Sequence, residues 1–305
     1  MKQWAKIFLS AAKSWKADNV FKHAAAVSFY TLFSLAPITI IAITVAGMFF
    51  GKESAAKELG KQITALVGPA SAEMVQAVAK ASETAGTSVM STVIGVALLL
   101  FGATTVFGQL QESLNAIWSV RTKPSKSGWG LLVIQRLVSF AMVLTIAFLL
   151  LVSLVITTAL TTVVGHMGHA IGGSPVLLKV ADIGISLVII TFLFALLFKV
   201  LPDVRIRWRD VWMGAGIAAV LFTVGRYIIA LYLGHSSVAS IYGAAGSIVA
   251  LLIWVYYSCA ILFFGVELTR AYRAIHHLKV EPKKTAVVVR EEVVESPRHG
   301  AATAK

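Results

Sequence analysis

The chain has 305 residues, 58% hydrophobic and only 13% charged, with a mean hydropathy of +0.83. A soluble domain carries about 45–50% apolar and about 25% charged residues, so the composition excludes an ordinary cytosolic enzyme and a disordered chain and reads as an integral membrane protein. The 27 Lys and Arg against 14 Asp and Glu give a formal +13; in a soluble protein this would point to nucleic acid, but in a membrane protein it points first to the bias of Lys and Arg toward the cytoplasmic side.

The chain opens on an amphipathic pattern. Trp4, Ile7, Phe8, Ala11 and Trp15 recur at helical spacing, with lysines between them. The apolar residues are not continuous, so 1–21 is not expected to be a cleaved signal peptide. They predict a helix lying in the membrane interface, with lysines toward anionic headgroups. The alternative is a lead-in helix that packs on the rest of the protein.

Six stretches approach the roughly 20 apolar residues that a spanning helix needs. They are Ala24–Phe50, Ser88–Leu110 with a polar extension to Trp118, Leu131–Val164, Leu177–Leu201, Val211–Leu233 and Ser247–Glu267. Between the first two, 51–87 carries two apolar stripes broken at Gly68-Pro69. They predict a short amphipathic helical pair at the outer face, either a lid over a cavity or a layer packed on helix ends. Five Lys and Arg lie in 1–23, four in each of the second-to-third and fourth-to-fifth connections, and eight after Glu267. The other side has five, and Arg226 stands apart. The expected fold is therefore all-α: a polytopic membrane protein, 1–275, with six spans and both termini cytoplasmic. The polar stretch 276–305 has no sustained helical stripe and is expected to be disordered. The lone Cys259 excludes an intrachain disulfide framework and a cysteine metal cluster.

Several stretches carry a recognisable pattern: His23-Ala-Ala-Ala-Val-Ser-Phe-Tyr-Thr-Leu-Phe-Ser-Leu-Ala-Pro37, Leu201-Pro-Asp-Val-Arg-Ile-Arg-Trp-Arg-Asp-Val-Trp-Met-Gly-Ala-Gly216, Ser240-Ile-Tyr-Gly-Ala-Ala-Gly-Ser247 and Phe264-Gly-Val-Glu-Leu-Thr269. In this order, over roughly residues 5–275, they resemble the YihY/BrkB family of bacterial inner-membrane proteins. The resemblance implies a six-helix bundle in the bacterial cytoplasmic membrane. Members have carried the label ribonuclease BN, widely regarded as misassigned. Others are associated with virulence or with envelope lipid and lipopolysaccharide phenotypes.

Ionisable groups inside a bilayer are expensive and mark function by default. Arg226, in the fifth span, is the clearest case. Asp182, in the fourth, lies at a similar predicted depth. They either pair, or Arg226 meets an anionic headgroup in a water-filled cavity; otherwise Arg226 snorkels to the interface as an anchor. Tyr30 is a further cavity candidate, because a deep hydroxyl needs a partner, and so are Tyr242 and Ser240, in the small-residue stretch 234–247 that either lines a cavity as irregular backbone or packs helices closely. Glu267, Glu112, Asn115 and His23 gather at the predicted cytoplasmic ends of spans and are gate candidates; helix-end charges in water or headgroups are the plainer account. Arg205, Arg207 and Arg209 fit headgroup binding, and their alternation points them one way only in extended backbone. Asp203 and Asp210 sit among these arginines, where ion pairing is expected. Pro37 kinks the first span and is a candidate hinge. Gly214, Gly216, Ala218 and Ala219 suit close helix packing. Trp4, Trp15, Trp118, Trp129, Trp208 and Trp212 fall at predicted cytoplasmic interfaces as an aromatic belt.

No phosphate-binding loop or nucleophile elbow is present, and His166 and His169 have only Asp182 as a nearby carboxylate. The sequence therefore predicts no catalytic residues, no metal and no cofactor. Two functions remain. One is a transporter or flippase-like protein for a lipid or other anionic amphipath in envelope biogenesis. The other is a non-transporting scaffold for envelope assembly. A membrane-bound ribonuclease, as in the old family label, is a remote third. The expected partners are anionic membrane lipids, not nucleic acid, with a homo-oligomer or an envelope protein also open.

Overall fold

Local chemistry sets where the helices begin and stop. In the computed structural model, which describes residues 2–34, 51, 57, 89–123, 175–235, 246–284 and 286–289, α1 spans Lys2–Ala17. It ends at Asn19, which adopts a positive φ of 51°, a conformation Asn tolerates better than most residues. The chain turns there into α2, which holds residues 20–34. Helix α3 is Val89–Ile117, α4 is Pro175–Val200, α5 is Trp208–His235 and α6 is Gly246–Ile275. Pro175 opens α4, where its missing N–H costs nothing. Pro202 follows α4, and 201–207 is not helical. Helix α6 closes with His277 at φ 53° and a bond from Leu278 N–H to Arg273 C=O at 2.9 Å, a Schellman-type stop.

Two of these helices, over Trp208–Ile229 and Ile248–Ile275, are long and apolar enough to cross a membrane, and Ser186–Val200 is a shorter apolar helix. Helix α5 is apolar on both sides. Val211, Ala215, Ala218, Ala219 and Ile229 are buried, whereas Val220, Leu221, Val224, Tyr227, Ile228 and Leu231 form an outward stripe, with Leu231 63% exposed. Such a stripe is unfavourable in water and natural against lipid. Helix α5 packs on α4 and α6, and α1 lies along α6.

The α5–α6 crossing depends on missing side chains. A β-carbon on Gly214 would collide with Thr269 Oγ1 and the Gly265 carbonyl. One on Gly265 would sit 2.7 Å from Ala218 Cβ and 2.8 Å from Phe198 Cζ. The expected small-residue seam is thus present at Gly214 and Ala218, and Ala219 is buried beside them. Gly216 does not share it, since a β-carbon there meets open space.

The deepest packing lies at one end, where Leu114, Ile117, Trp118, Phe198, Leu201, Ile206 and Phe263 are sealed from solvent. Arg121, Arg205, Arg207, Arg209, Arg270, Arg273 and Lys283 gather around it, and we call it the basic end. Trp118 is therefore a core residue rather than a member of an interfacial belt. Trp15 is half-buried against Phe21 and Phe264, with centroids 4.5 and 5.6 Å away. Trp208 and Trp212 stay exposed; Trp129 lies outside the described residues.

Helix α1 combines both expectations for it. Ile7 and Ala11 are buried with Leu268 and Ala271 of α6. Trp4, Phe8 and Leu9 remain exposed beside the lysines.

The start of the tail is ordered, contrary to the expectation of disorder. After α6 it returns across the basic end. Arg205 N–H donates to Glu281 C=O and Lys283 N–H to Asp203 C=O, each at 2.8 Å. Strand β2, Ala286–Val288, pairs antiparallel with β1, Val120–Thr122, which follows α3. The tail supplies a second strand for backbone groups that would otherwise be unpaired, through its short Ala286–Val288 run. Residues 290–305 lie outside the described part. So do Pro37, Tyr242, Ser240, the 51–87 pair apart from Gly51 and Lys57, and the predicted third span.

Candidate functional site

Among the described residues, two loci set charged groups against or within the apolar helices: the basic end and Arg226.

At the basic end, the non-helical stretch after α4 places alternate residues inside and outside. Val204 and Ile206 are buried, while Arg205 and Arg207 are exposed. The predicted one-sided display of Arg205 and Arg207 is met because the backbone there is extended. Arg209, exposed in the first turn of α5, continues the cationic face. Asp203 turns inward and does not pair with these arginines. Its carboxylate accepts from Asn115 Nδ2 at 3.0 Å, Gln111 Nε2 at 3.3 Å and Thr122 Oγ1 at 3.4 Å. Its backbone N–H donates to Asn115 Oδ1 at 2.7 Å. Lys283 Nζ donates to Val200 C=O at 3.0 Å. Burial holds the Lys283 ammonium below the usual lysine range; Asp203 opposes this and Lys199 adds to it.

Asp210 does find an ion-pair partner, but on another helix. It is buried with Arg273 of α6, whose Nη2 also donates to Lys279 C=O at 2.7 Å. One turn earlier on α6, Arg270 binds Asp18 of the α1–α2 turn and donates to Ser119 Oγ at 3.2 Å.

The four gate candidates differ in burial, and His23 stands near Glu112. Asn115 is 5% exposed and bound to Asp203. Glu267 is 1% exposed, with Arg270 Nη1 3.7 Å away. His23 is half-buried, edge-on to Phe263 at 6.4 Å. Glu112 is exposed on α3. Asp18, Arg270, Arg273 and Lys283 are the members of this cluster that sequence reasoning did not single out. One signal was available for α6: Glu267, Arg270 and Arg273 recur every three residues and so share one side of the helix.

Arg226 lies ~27 Å along α5 from Trp208, close to a full hydrocarbon thickness. It is half-buried, and its guanidinium carbon stands 5.3 Å from the Tyr227 ring centroid. Its neighbours Val224, Tyr227 and Ile228 belong to the outward stripe. Among the described residues Arg226 has no carboxylate partner. Asp182 sits in α4, but its side chain lies outside the described part. Tyr30 is half-buried with its ring edge-on to Phe29 at 5.9 Å.

Long apolar helices with a lipid-suited face and polar groups gathered at one end define a helical membrane protein. The chain belongs to the family described as Virulence factor BrkB, whose model matches residues 11–288. It is 28% identical over 258 residues to a UPF0761 membrane protein of Pseudoalteromonas translucida, covering 83% of this chain and 81% of that one. A UPF0761 membrane protein of Alteromonas mediterranea is 26% identical over 260 residues, with 84% of each chain covered. One from Pseudoalteromonas atlantica is 26% identical over 287 residues, covering 92% of this chain and 89% of that one. No solved structure matches.

Proposed function

We propose that this membrane protein moves or flips an anionic amphipath, most simply a lipid, in the bacterial cytoplasmic membrane, with both termini on the cytoplasmic side. The observation that carries the reading is Arg226: a cation within an apolar spanning helix, beside lipid-suited residues, resting on the Tyr227 ring. A guanidinium so placed suits a phosphate or carboxylate headgroup, because its flat fork binds such groups in two hydrogen bonds. Arg205, Arg207 and Arg209 offer a second contact for anionic headgroups at the basic end. The chain carries no ATP-binding motif, so the cycle is passive, ion-coupled or driven by a partner.

The test is reconstitution in liposomes with a fluorescent-lipid movement assay. Wild type should move lipid faster than empty liposomes, Arg226→Ala should fall toward the empty rate, and Arg226→Lys should lie between. Wild type equal to empty liposomes would replace this reading with the scaffold.

A further inference from the structure

The meeting point of α6 and the α1–α2 turn holds two carboxyls and one guanidinium. Among the described residues Glu267 is the most deeply buried ionisable group, and neither of its oxygens receives a hydrogen bond from a described donor. Two groups face it. One is Arg270, 3.7 Å away. The other is the carboxyl of Asp18, which is bound to the same Arg270 Nη1. Arg270 is already engaged, by Asp18 more closely and by Ser119 at 3.2 Å.

Two adjoining carboxylates with one shared cation would leave an uncompensated anion in a buried place, at a cost of several kcal/mol. A carboxylate also accepts hydrogen bonds but donates none. One added proton resolves both problems. It lets Glu267 donate to an Asp18 oxygen, and it leaves the trio electrically neutral. We infer that Asp18 and Glu267 hold one proton between them, with Arg270 as counter-cation, and so form a proton-binding site. Water reaches its outer part, because the Asp18 and Arg270 side chains are 27% and 29% exposed. Among the described residues, half-buried His23 on α2 over Phe263 and exposed Glu112 on α3 stand on its rim. The binding does not depend on the transport reading; where that reading holds, the proton is the coupling ion.

Infrared spectroscopy of the full chain in liposomes at neutral pH tests the site. A protonated-carboxyl band should be present in wild type and missing in Glu267→Gln. In Asp18→Asn the amide can donate to Glu267 and Arg270 is released toward it, so the band should also be lost. That second variant carries the test if Glu267→Gln does not fold. A wild-type spectrum without the band, or a band retained in a folded variant, overturns the site. The lipid assay under an imposed pH gradient tests the coupling. Wild type should respond to the gradient and Glu267→Gln should not. Lipid movement in wild type that ignores the gradient overturns the coupling and leaves the site to the infrared result. No movement at all counts against the transport reading alone.

Discussion

Asn115 and Asp203 bind each other twice, once through the Asn115 amide to the Asp203 carboxylate at 3.0 Å and once through the Asp203 backbone N–H to the Asn115 carbonyl at 2.7 Å. This pair joins the end of α3 to the segment between α4 and α5. It also fixes the level at which Lys283 of the tail crosses. Hydrogen bonds contribute about 1 kcal/mol when neutral and about 1.5–3 kcal/mol when charged. Asn115→Ala removes one of each and strips a buried carboxylate of its nearest donor. Thermal unfolding in detergent should show a loss of about 2–4 kcal/mol. Asn115→Asp should lose more, because it sets a second carboxylate against the first. An unchanged midpoint in both would mean that the pair does not hold the two segments.

Asp210 and Arg273 make a different prediction. The pair is buried, and Arg273 also holds the Lys279 carbonyl. Removing one member of a buried pair costs about 3–5 kcal/mol because the other charge is left uncompensated. Arg273→Met should therefore be severe, whereas Arg273→Met with Asp210→Leu should recover much of the loss. Stability of the two singles and the double, measured as a cycle, checks this; strict additivity would show that the charges act separately.

How much of this was legible in the sequence follows from separation along the chain. Apolar length and periodicity alone mark α5 and α6, and a single charge in an apolar run marks Arg226. The Glu267 site is half legible, because Glu267 and Arg270 share a helix face while Asp18 lies at a distant turn. Asn115 with Asp203, and Asp210 with Arg273, are tertiary partners with no local signature. Asp203 looked like a partner for its neighbouring arginines, but extended backbone sends those outward and leaves Asp203 to neutral amides. Strand β2 was missed because the Ala-Val-Val run is too short to mark a strand alone and takes its pairing from β1, far away in sequence.

The glycine seam is tested by two substitutions two residues apart. Gly214→Ala drives a methyl group into Thr269 and the Gly265 backbone, which cannot move aside without parting α5 from α6. Overpacking of this kind costs about 1–3 kcal/mol. Gly216→Ala meets nothing and gains helix propensity, about 0.5–1 kcal/mol. The two midpoints should therefore move in opposite directions. Equal shifts would mean that the crossing is looser than this geometry.

Lys283 gives a pH dependence with a definite sign. Its folded-state value lies below the ordinary 10.5 because burial disfavours the ammonium. As pH rises, the folded chain therefore releases this proton before the unfolded chain does. The group's contribution to stability is complete above the unfolded value and is lost as pH falls through the folded one. Lys283→Met has no such titration. The stability of wild type relative to Lys283→Met should therefore rise as pH climbs from below toward about 10.5. Paired thermal scans at several pH values measure the difference directly. A gap that narrows with pH would mean that attraction from Asp203 outweighs burial at this site, and a flat gap would place the ammonium in water in both states.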